Sequence, residues 1–313
     1  MQSDLAIIIV NWNGGDFLRR CLASLDQFPP QVQYTIVVVD NASSDGSRDW
    51  LDSLGDRIRL IANKENVGFG RANNQAFAAT DAPLLFLLNS DAEVHEGTLD
   101  TLVATINESE KIGAVGPRLL NTDGTLQPSV WRNPPSPGEM IVIAFGLFRL
   151  LPKRQRESLL GIHWDHSHRL SAHMLSAAAL LLKRKVIEDV GGFDERFHMY
   201  GEDNELALRM VRSGWLMLFE PKATVTHHAG KSTERRWSDL EKLAKKYEGF
   251  FRLQRIHLSR GAAVANLMTG YGLATIRQVW LTLRRRPLEE NRLVRRLYGD
   301  ELRQMLSATK PNA

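Results

Sequence analysis

At 313 residues, 43% of them apolar and 24% charged, the chain can form one large domain or two small ones and has the make-up of a folded globular protein, not a disordered or collagen-like one. Its net charge of +4 is unevenly placed: from Lys231 onward 18 Lys+Arg face 8 Asp+Glu, a balance of +10, which leaves −6 over residues 1–230. The single cysteine, Cys21, excludes an intrachain disulfide and suits a reducing compartment, no basic stretch followed by an apolar core marks a signal peptide, and the longest apolar run, Met140 to Leu151, broken by Arg149, falls short of the ~20 residues a bilayer span needs.

Leu5–Val10 (LAIIIV) is a continuous apolar run rich in β-branched residues, the pattern of a strand buried on both faces. Helical spacing follows over Asp16–Leu25. Tyr34–Val39 is a second buried strand ending at Asp40, a turn covers Asn41 to Gly46, and Ser47–Leu54 reads as helix. Ile58–Ile61 is a third strand, Gly70–Ala79 a helix, and Leu84–Leu88 a fourth strand ending at Asn89-Ser90-Asp91. This alternation predicts a parallel sheet with helices on both faces, which binds ligands beyond the carboxyl ends of its strands. Asn11, Asn13, Asp40 and Asp91 all fall at such ends.

Prolines at 128, 134, 135, 137 and 152 break up residues 125–172, which read as a long, partly helical insertion holding Trp131 and Trp164. Met174–Leu182 returns to buried structure. Lys185–Val190 and Asn204–Arg212 read as helices, and Ala223–Thr226 as a strand. Beyond Arg235 three helices are expected: one from the N-cap Ser238 to about Leu258, one over Ala262–Arg284 and one over Leu288–Leu306.

Several strings could carry chemistry. Asp91, just past a buried strand, offers hard oxygen ligands suited to Mg2+ or Mn2+, or is a turn or capping aspartate. Glu202 and Asp203 open a helix, where acids complement the helix dipole, yet a carboxylate at the end of a long loop can also deprotonate a hydroxyl. His227 after a strand is a metal ligand or a satisfied polar residue. In Asn66-Val67-Gly68-Phe69-Gly70-Arg71-Ala72-Asn73-Asn74, the glycines permit close backbone approach and Arg71 can pair with a phosphate.

In this order and spacing, the strings resemble glycosyltransferase family 2, of the GT-A fold, and its bacterial rhamnosyltransferase-like branch. The resemblance spans roughly residues 5–235. It rests on Ile9 to Asn13, Val38 to Ser47, Asn66 to Asn73, Leu87 to Asp91, Gly191 to Glu195 with Phe197, Gly201 to Asp203, and Trp215 with Pro221 before His227 to Ser232. It implies a Rossmann-like, mostly parallel sheet flanked by helices over residues 1–234 and a basic helical extension over 235–313.

The resemblance also implies roles. Asp40 would take the pyrimidine base of a dTDP- or UDP-sugar, with Asn11, Asn13, Asn66, Gly68, Arg71, Asn73 and Ser90 around the nucleotide. Asp91 would hold a divalent Mg2+ or Mn2+, with His227 a second metal ligand or a diphosphate ligand. The family's Asp-x-Asp element has Asn89 and Ser90 in its first two places here. Asp203 would be the base of an inverting transfer, with Trp131, Arg132 and Glu202 toward the acceptor, to which the string Gln127, Ser129, Arg132 also belongs. L-rhamnose from dTDP-rhamnose is the implied donor, and a glycan or polyprenyl-diphosphate-linked sugar the acceptor.

The apolar run at 140–151 with Lys153, Arg154 and Arg156, and the basic C-terminal helices, fit an anionic membrane surface at the cytoplasmic face of a bacterial inner membrane; the alternative is a homodimer interface or core. Asn-Trp-Asn-Gly-Gly after the first strand lacks the Gly-x-Gly-x-x-Gly of dinucleotide sites, and the tail lacks the interleaved aromatics of a nucleic-acid binder, so no nucleic acid is expected. A fold of this kind that has lost catalysis and serves as a nucleotide-sugar binding or regulatory module is the competing reading.

Overall fold

The structure, a computed structural model, describes residues 3–131, 136–150, 152, 166–197, 199–228 and 238–307. The chain divides into two compact units: Met1–Asn133 with Gly161–Arg236, and Pro134–Leu160 with Trp237–Ala313.

The first unit is built on one twisted sheet. Strands β1 (Leu5–Asn11), β2 (Tyr34–Asp40), β3 (Arg59–Ala62) and β4 (Leu84–Asn89) alternate with helices α1 (Gly15–Gln27), α2 (Ser47–Asp52) and α3 (Phe69–Ala78). They pair in parallel in the order β3-β2-β1-β4. Alternate residues of β1 enter opposite layers: Leu5, Ile7 and Ile9 pack with Leu18, Leu22 and Leu102, while Ala6 and Ile8 pack with Ala72, Ala76 and Phe77. Burial on both faces is why these strands are apolar at every position.

Beyond β4 the pattern changes. Next come β5 (Ala92–Val94), α4 (Thr98–Ile106) and β6 (Ile112–Leu120), three elements the residue pattern did not mark. The short strands β7 (Leu126–Gln127) and β8 (Val130–Trp131) lead to α5 (Pro137–Ala144) and a 3-10 turn at Leu147–Leu150. Then follow β9 (Leu170–Ala172), β10 (Met174–Leu175), β11 (Ala179–Lys183), α6 (Arg184–Val190), α7 (Glu202–Arg212) and β12 (Leu216–His227). β11 inserts antiparallel between β4 and β6, and β12 runs parallel to β6 but antiparallel to β5. The sheet is therefore mixed, with its parallel character concentrated in the first half. An all-apolar strand such as Leu84–Leu88 encodes burial, not the direction of its neighbour.

In the second unit, α8 (Asp239–His257), α9 (Arg260–Leu283) and α10 (Glu289–Ser307) follow the expected order. Ser238 caps α8 through a reciprocal bond pair with Glu241. Phe251, Leu267 and Tyr298 form the core, and a Cβ at Gly270 would collide with the Tyr298 ring, so glycine lets α9 and α10 approach. The Arg255 guanidinium donates to both Glu301 oxygens, and Asn291 donates to the Ala274 carbonyl at 2.9 Å. Among the described residues no helix is long and apolar enough to cross a membrane.

Candidate active site

Parallel register places Asn11 opposite Asp40, and Val10 opposite Asn89, so the carboxyl ends of β1, β2 and β4 form one polar edge. Asp40 has no exposed surface. Its carboxylate accepts from Asn11 Nδ2 (2.9 Å), Ser43 N (3.0 Å) and Ser43 Oγ (2.6 Å). Asn13 donates from its backbone to Ser43 Oγ and accepts from Ser44 N at 2.7 Å. In this conformation Asp40 organises the turn over 41–46, and a base could reach it only if that turn shifts.

The 66–74 string is bound to the same edge. Asn66 accepts from Gly68 N at 3.0 Å, and the Gly68 carbonyl, at a residue with φ of 88°, accepts from Asn41. Asn73 is buried and donates back to the Phe69 carbonyl of its own helix. Arg71 is exposed beside Glu195, with Nε 3.7 Å from the carboxylate. Asn74, absent from the expected site, clamps Phe193 by donating to its carbonyl (2.9 Å) and accepting from its N–H (2.8 Å). A Cβ at Gly192 would collide with the Asn74 amide oxygen. Phe193 packs between Phe69 and Phe77. The clamp thus ties the donor-side string to the loop that leads into α7.

Asp91 is buried, and its Oδ1 lies 3.3 Å from His227 Nε2. The β5–β12 pairing, with His227 opposite Ala92, brings these residues together. A run of side chains fixes the imidazole. Thr125 Oγ1 donates to Asp123, which holds the Asp123 carboxyl below the usual carboxylate range. Asn121 donates to Thr125 Oγ1 (2.9 Å) and accepts from Gln127 Nε2 (2.9 Å). Gln127 Oε1 is left to accept, and it lies 2.7 Å from His227 Nδ1. This pattern assigns the His227 proton to Nδ1 and leaves the Nε2 lone pair facing Asp91, with Asn89 Nδ2 at 3.1 Å. An imidazole lone pair and a carboxylate oxygen turned toward each other suit a shared cation, and a ligand histidine whose other nitrogen is hydrogen-bonded is the usual way to orient one. Asp91 and His227 therefore fit a divalent metal. They form a pair only: no cluster of three His, Cys, Asp or Glu able to hold a metal occurs among the described residues. Gln127, expected in the acceptor string, instead orients His227.

Glu202 and Asp203 lie in the first turn of α7, after Gly201, whose φ of 101° favours glycine. Asp203 accepts from Asn204 N at 2.8 Å and from the Ala177 N–H, but burial dominates and raises its carboxyl above the ordinary value. Burial and the Asp203 charge push Glu202 up to about 8, and its Oε2 has no hydrogen-bond partner. Burial thus works against ionisation of both carboxyls, and Glu202, raised to about 8, is the one that keeps its proton at neutral pH. The turn over 176–178 links the two halves of the site: its Ala177 N–H holds Asp203 while the Ala178 carbonyl accepts from Asn89 N at 2.9 Å. The base of α7 is braced too, since Arg209 binds Glu205 and the Gly192 carbonyl (2.7 Å).

Ser90 is buried at the same edge, close to Gly14. Trp131 ends β8, but its side chain, together with Arg132, Lys153, Arg154, Arg156, Trp164, Gly230, Lys231 and Ser232, lies outside the described residues.

The family model for glycosyl transferase family 2 matches residues 6–190. An N-acetylglucosaminyl-diphospho-decaprenol L-rhamnosyltransferase of Mycobacterium tuberculosis is 30% identical over 259 residues, covering 75% of this chain and 79% of that protein. The O-antigen biosynthesis protein RfbC of Myxococcus xanthus is 28% identical over 73% of this chain, which spans 17% of its length. Two solved structures share the fold at low identity. GalNAc-T7 with UDP, GalNAc and Mn2+ has a TM-score of 0.59 at 16% identity, covering 98% of this chain and 56% of that one. The mannosyltransferase PcManGT from Pyrobaculum calidifontis, with GDP-Man and Mn2+, has a TM-score of 0.56 at 17% identity, covering 99% and 77%. The architecture is GT-A.

Proposed function

The chain belongs to glycosyl transferase family 2 and is a glycosyltransferase, and from that premise we propose that it inverts the anomeric carbon of L-rhamnose in moving it from dTDP-rhamnose to a polyprenyl-diphosphate-linked sugar. The choice of sugar and acceptor draws on the Mycobacterium relative, whose name specifies a rhamnosyl transfer to a decaprenol-linked N-acetylglucosamine. The work takes place at the cytoplasmic face of a membrane, where such an acceptor is reached.

The carrying observation is the 176–178 turn, which joins a half-buried aspartate with a raised pKa to the strand end bearing Asn89. Asp203 takes the proton of the acceptor hydroxyl. That oxygen bonds to the anomeric carbon as the bond from this carbon to the diphosphate breaks, so one displacement inverts configuration. A raised pKa suits a base working near neutral pH. Neutral Glu202 can donate a hydrogen bond to the acceptor without opposing the charge on Asp203. Asp91 and His227 would hold the divalent cation, which, when bound, offsets negative charge developing on the leaving diphosphate. Asn11, Asn13, Asn66, Gly68, Arg71, Asn73 and Ser90 shape the nucleotide side, and Asp40 meets the base once the 41–46 turn moves. Trp131 and Arg132 are assigned to the acceptor side.

A donor screen tests this reading. Thermal shift of the full chain with dTDP-, UDP- and GDP-sugars, with and without Mn2+ or Mg2+, should give its largest shift with dTDP-rhamnose plus metal. A response to GDP-sugars alone, or one indifferent to metal, would overturn the donor and metal assignments.

A further inference from the structure

Helix α9 spans 24 residues without a single acid. One face is used inside the second unit: Leu267, Gly270 and Ala274 are buried against its core. The opposite face is not. Ala265, Met268, Gly272, Ile276, Val279 and Leu283 recur at steps of three and four, which aligns them in one stripe about 27 Å long. Met268, Ile276, Val279 and Leu283 are 54–79% exposed, and Trp280, at the edge of the stripe, is 54% exposed. Isolated exposed apolar residues are ordinary, but a continuous stripe on a soluble surface marks a contact.

The border of the stripe is cationic. Arg277 lies on the flank, and Arg284, Arg285 and Arg286 follow the last turn. The Arg284 guanidinium sits 6.0 Å from the centre of the Trp280 ring, and Arg277 and Arg286 flank Trp280 in a shallow cleft that Glu290 also lines. Helix α5 packs against α9, and its surroundings add a second apolar group: Phe145, Leu147 and Leu150 are exposed, Leu150 by 83%, with Arg149 stacked on Phe148. A second copy of the chain is a poor occupant, since an apolar stripe with arginines at its border and no acid on its own helix would bring like charges together in a symmetric pairing. An anionic lipid surface supplies both missing halves: acyl chains for the stripe, and phosphates for the arginines, with Trp280 at the boundary where indoles settle.

We infer that the exposed face of α9, with Phe145, Leu147 and Leu150, docks on an anionic lipid bilayer, lying in its interface without crossing it. The inference is independent of the sugar-transfer reading, because it concerns a different compact unit and its readout is lipid binding.

The test is co-sedimentation of the full chain with phosphatidylcholine vesicles with and without phosphatidylglycerol, beside analytical ultracentrifugation without lipid. The wild type should pellet with the anionic vesicles, release in high salt and be a monomer without lipid. Ile276→Glu with Leu283→Glu should lose binding at least tenfold. The triple change Arg284→Gln, Arg285→Gln, Arg286→Gln should weaken it by about fivefold per arginine. Both variants alter exposed positions and should keep wild-type circular dichroism and wild-type turnover of a water-soluble acceptor. No binding by the wild type, equal binding to neutral vesicles, or variants that bind like the wild type would each overturn the inference. So would a wild-type dimer that Ile276→Glu with Leu283→Glu dissociates.

Discussion

Asp91, buried, and Asp203, half-buried, both lie at the ends of elements, yet their surroundings differ. Asp91 faces Nε2 of a histidine whose other nitrogen lies against Gln127, an arrangement that suits a cation. Asp203 faces a second carboxyl and two backbone N–H groups, and burial raises both carboxyls. The residue type is the same; the neighbours set which chemistry each carboxylate suits. That difference can be attacked from either side.

Asp203 itself aside, the largest effect should come from removing the cation side. Asp91→Ala should cost on the order of 10^2–10^3 in transfer and abolish any stimulation by Mn2+ or Mg2+, measured as initial rates against metal concentration. An enzyme indifferent to a chelator would place Asp91 with the structural aspartates. A gentler change on the same side is Gln127→Leu. It removes the acceptor that keeps the proton on His227 Nδ1, and metal affinity should fall about tenfold while the fold persists. Unchanged affinity would mean that His227 is not oriented by this run of side chains.

The smallest expected change lies on the proton side. Glu202 is neutral in the folded state up to about pH 8, whereas in the unfolded chain it ionises near the ordinary value of 4.5. Folding therefore grows less favourable as pH rises from 4.5 to about 8 and levels off above that. Glu202→Gln should remove this dependence, gaining about 5 kcal/mol at pH 8.5 and little at pH 4.5, read from denaturant unfolding at the two values. Near pH 7 its turnover should stay within a few-fold of wild type. Equal pH dependence in both proteins would show that Glu202 ionises normally.

Much of the donor edge was legible because side chains announce it. Apolar runs ending in Asn11, Asp40 and Asn89 fix where β1, β2 and β4 stop, and Ser238 marks the start of α8. Three things were not legible. β5, α4 and β6 lie in a stretch where Gly113, Gly116 and Pro117 blur the strand pattern and β5 is only three residues long. The direction of β11 has no side-chain signature, so the sheet is more mixed than the β–α alternation implied. And the links within the site are made by backbone or by ordinary polar residues: Ala177 and Ala178 through their peptide groups, Asn74 through Phe193, Gln127 through His227. Asp40 is the opposite case. The family resemblance marked it for the base, while its burial shows that it first holds a turn together.

The most direct test of the central claim is Asp203→Asn, with transfer rate and donor affinity measured on the same preparation. The exchange keeps shape and removes the proton acceptor. Turnover should fall by about 10^2–10^4 with donor affinity within a few-fold of wild type. Near-normal turnover in that variant, or loss of donor binding in step with turnover, would contradict the assignment of Asp203 as the base.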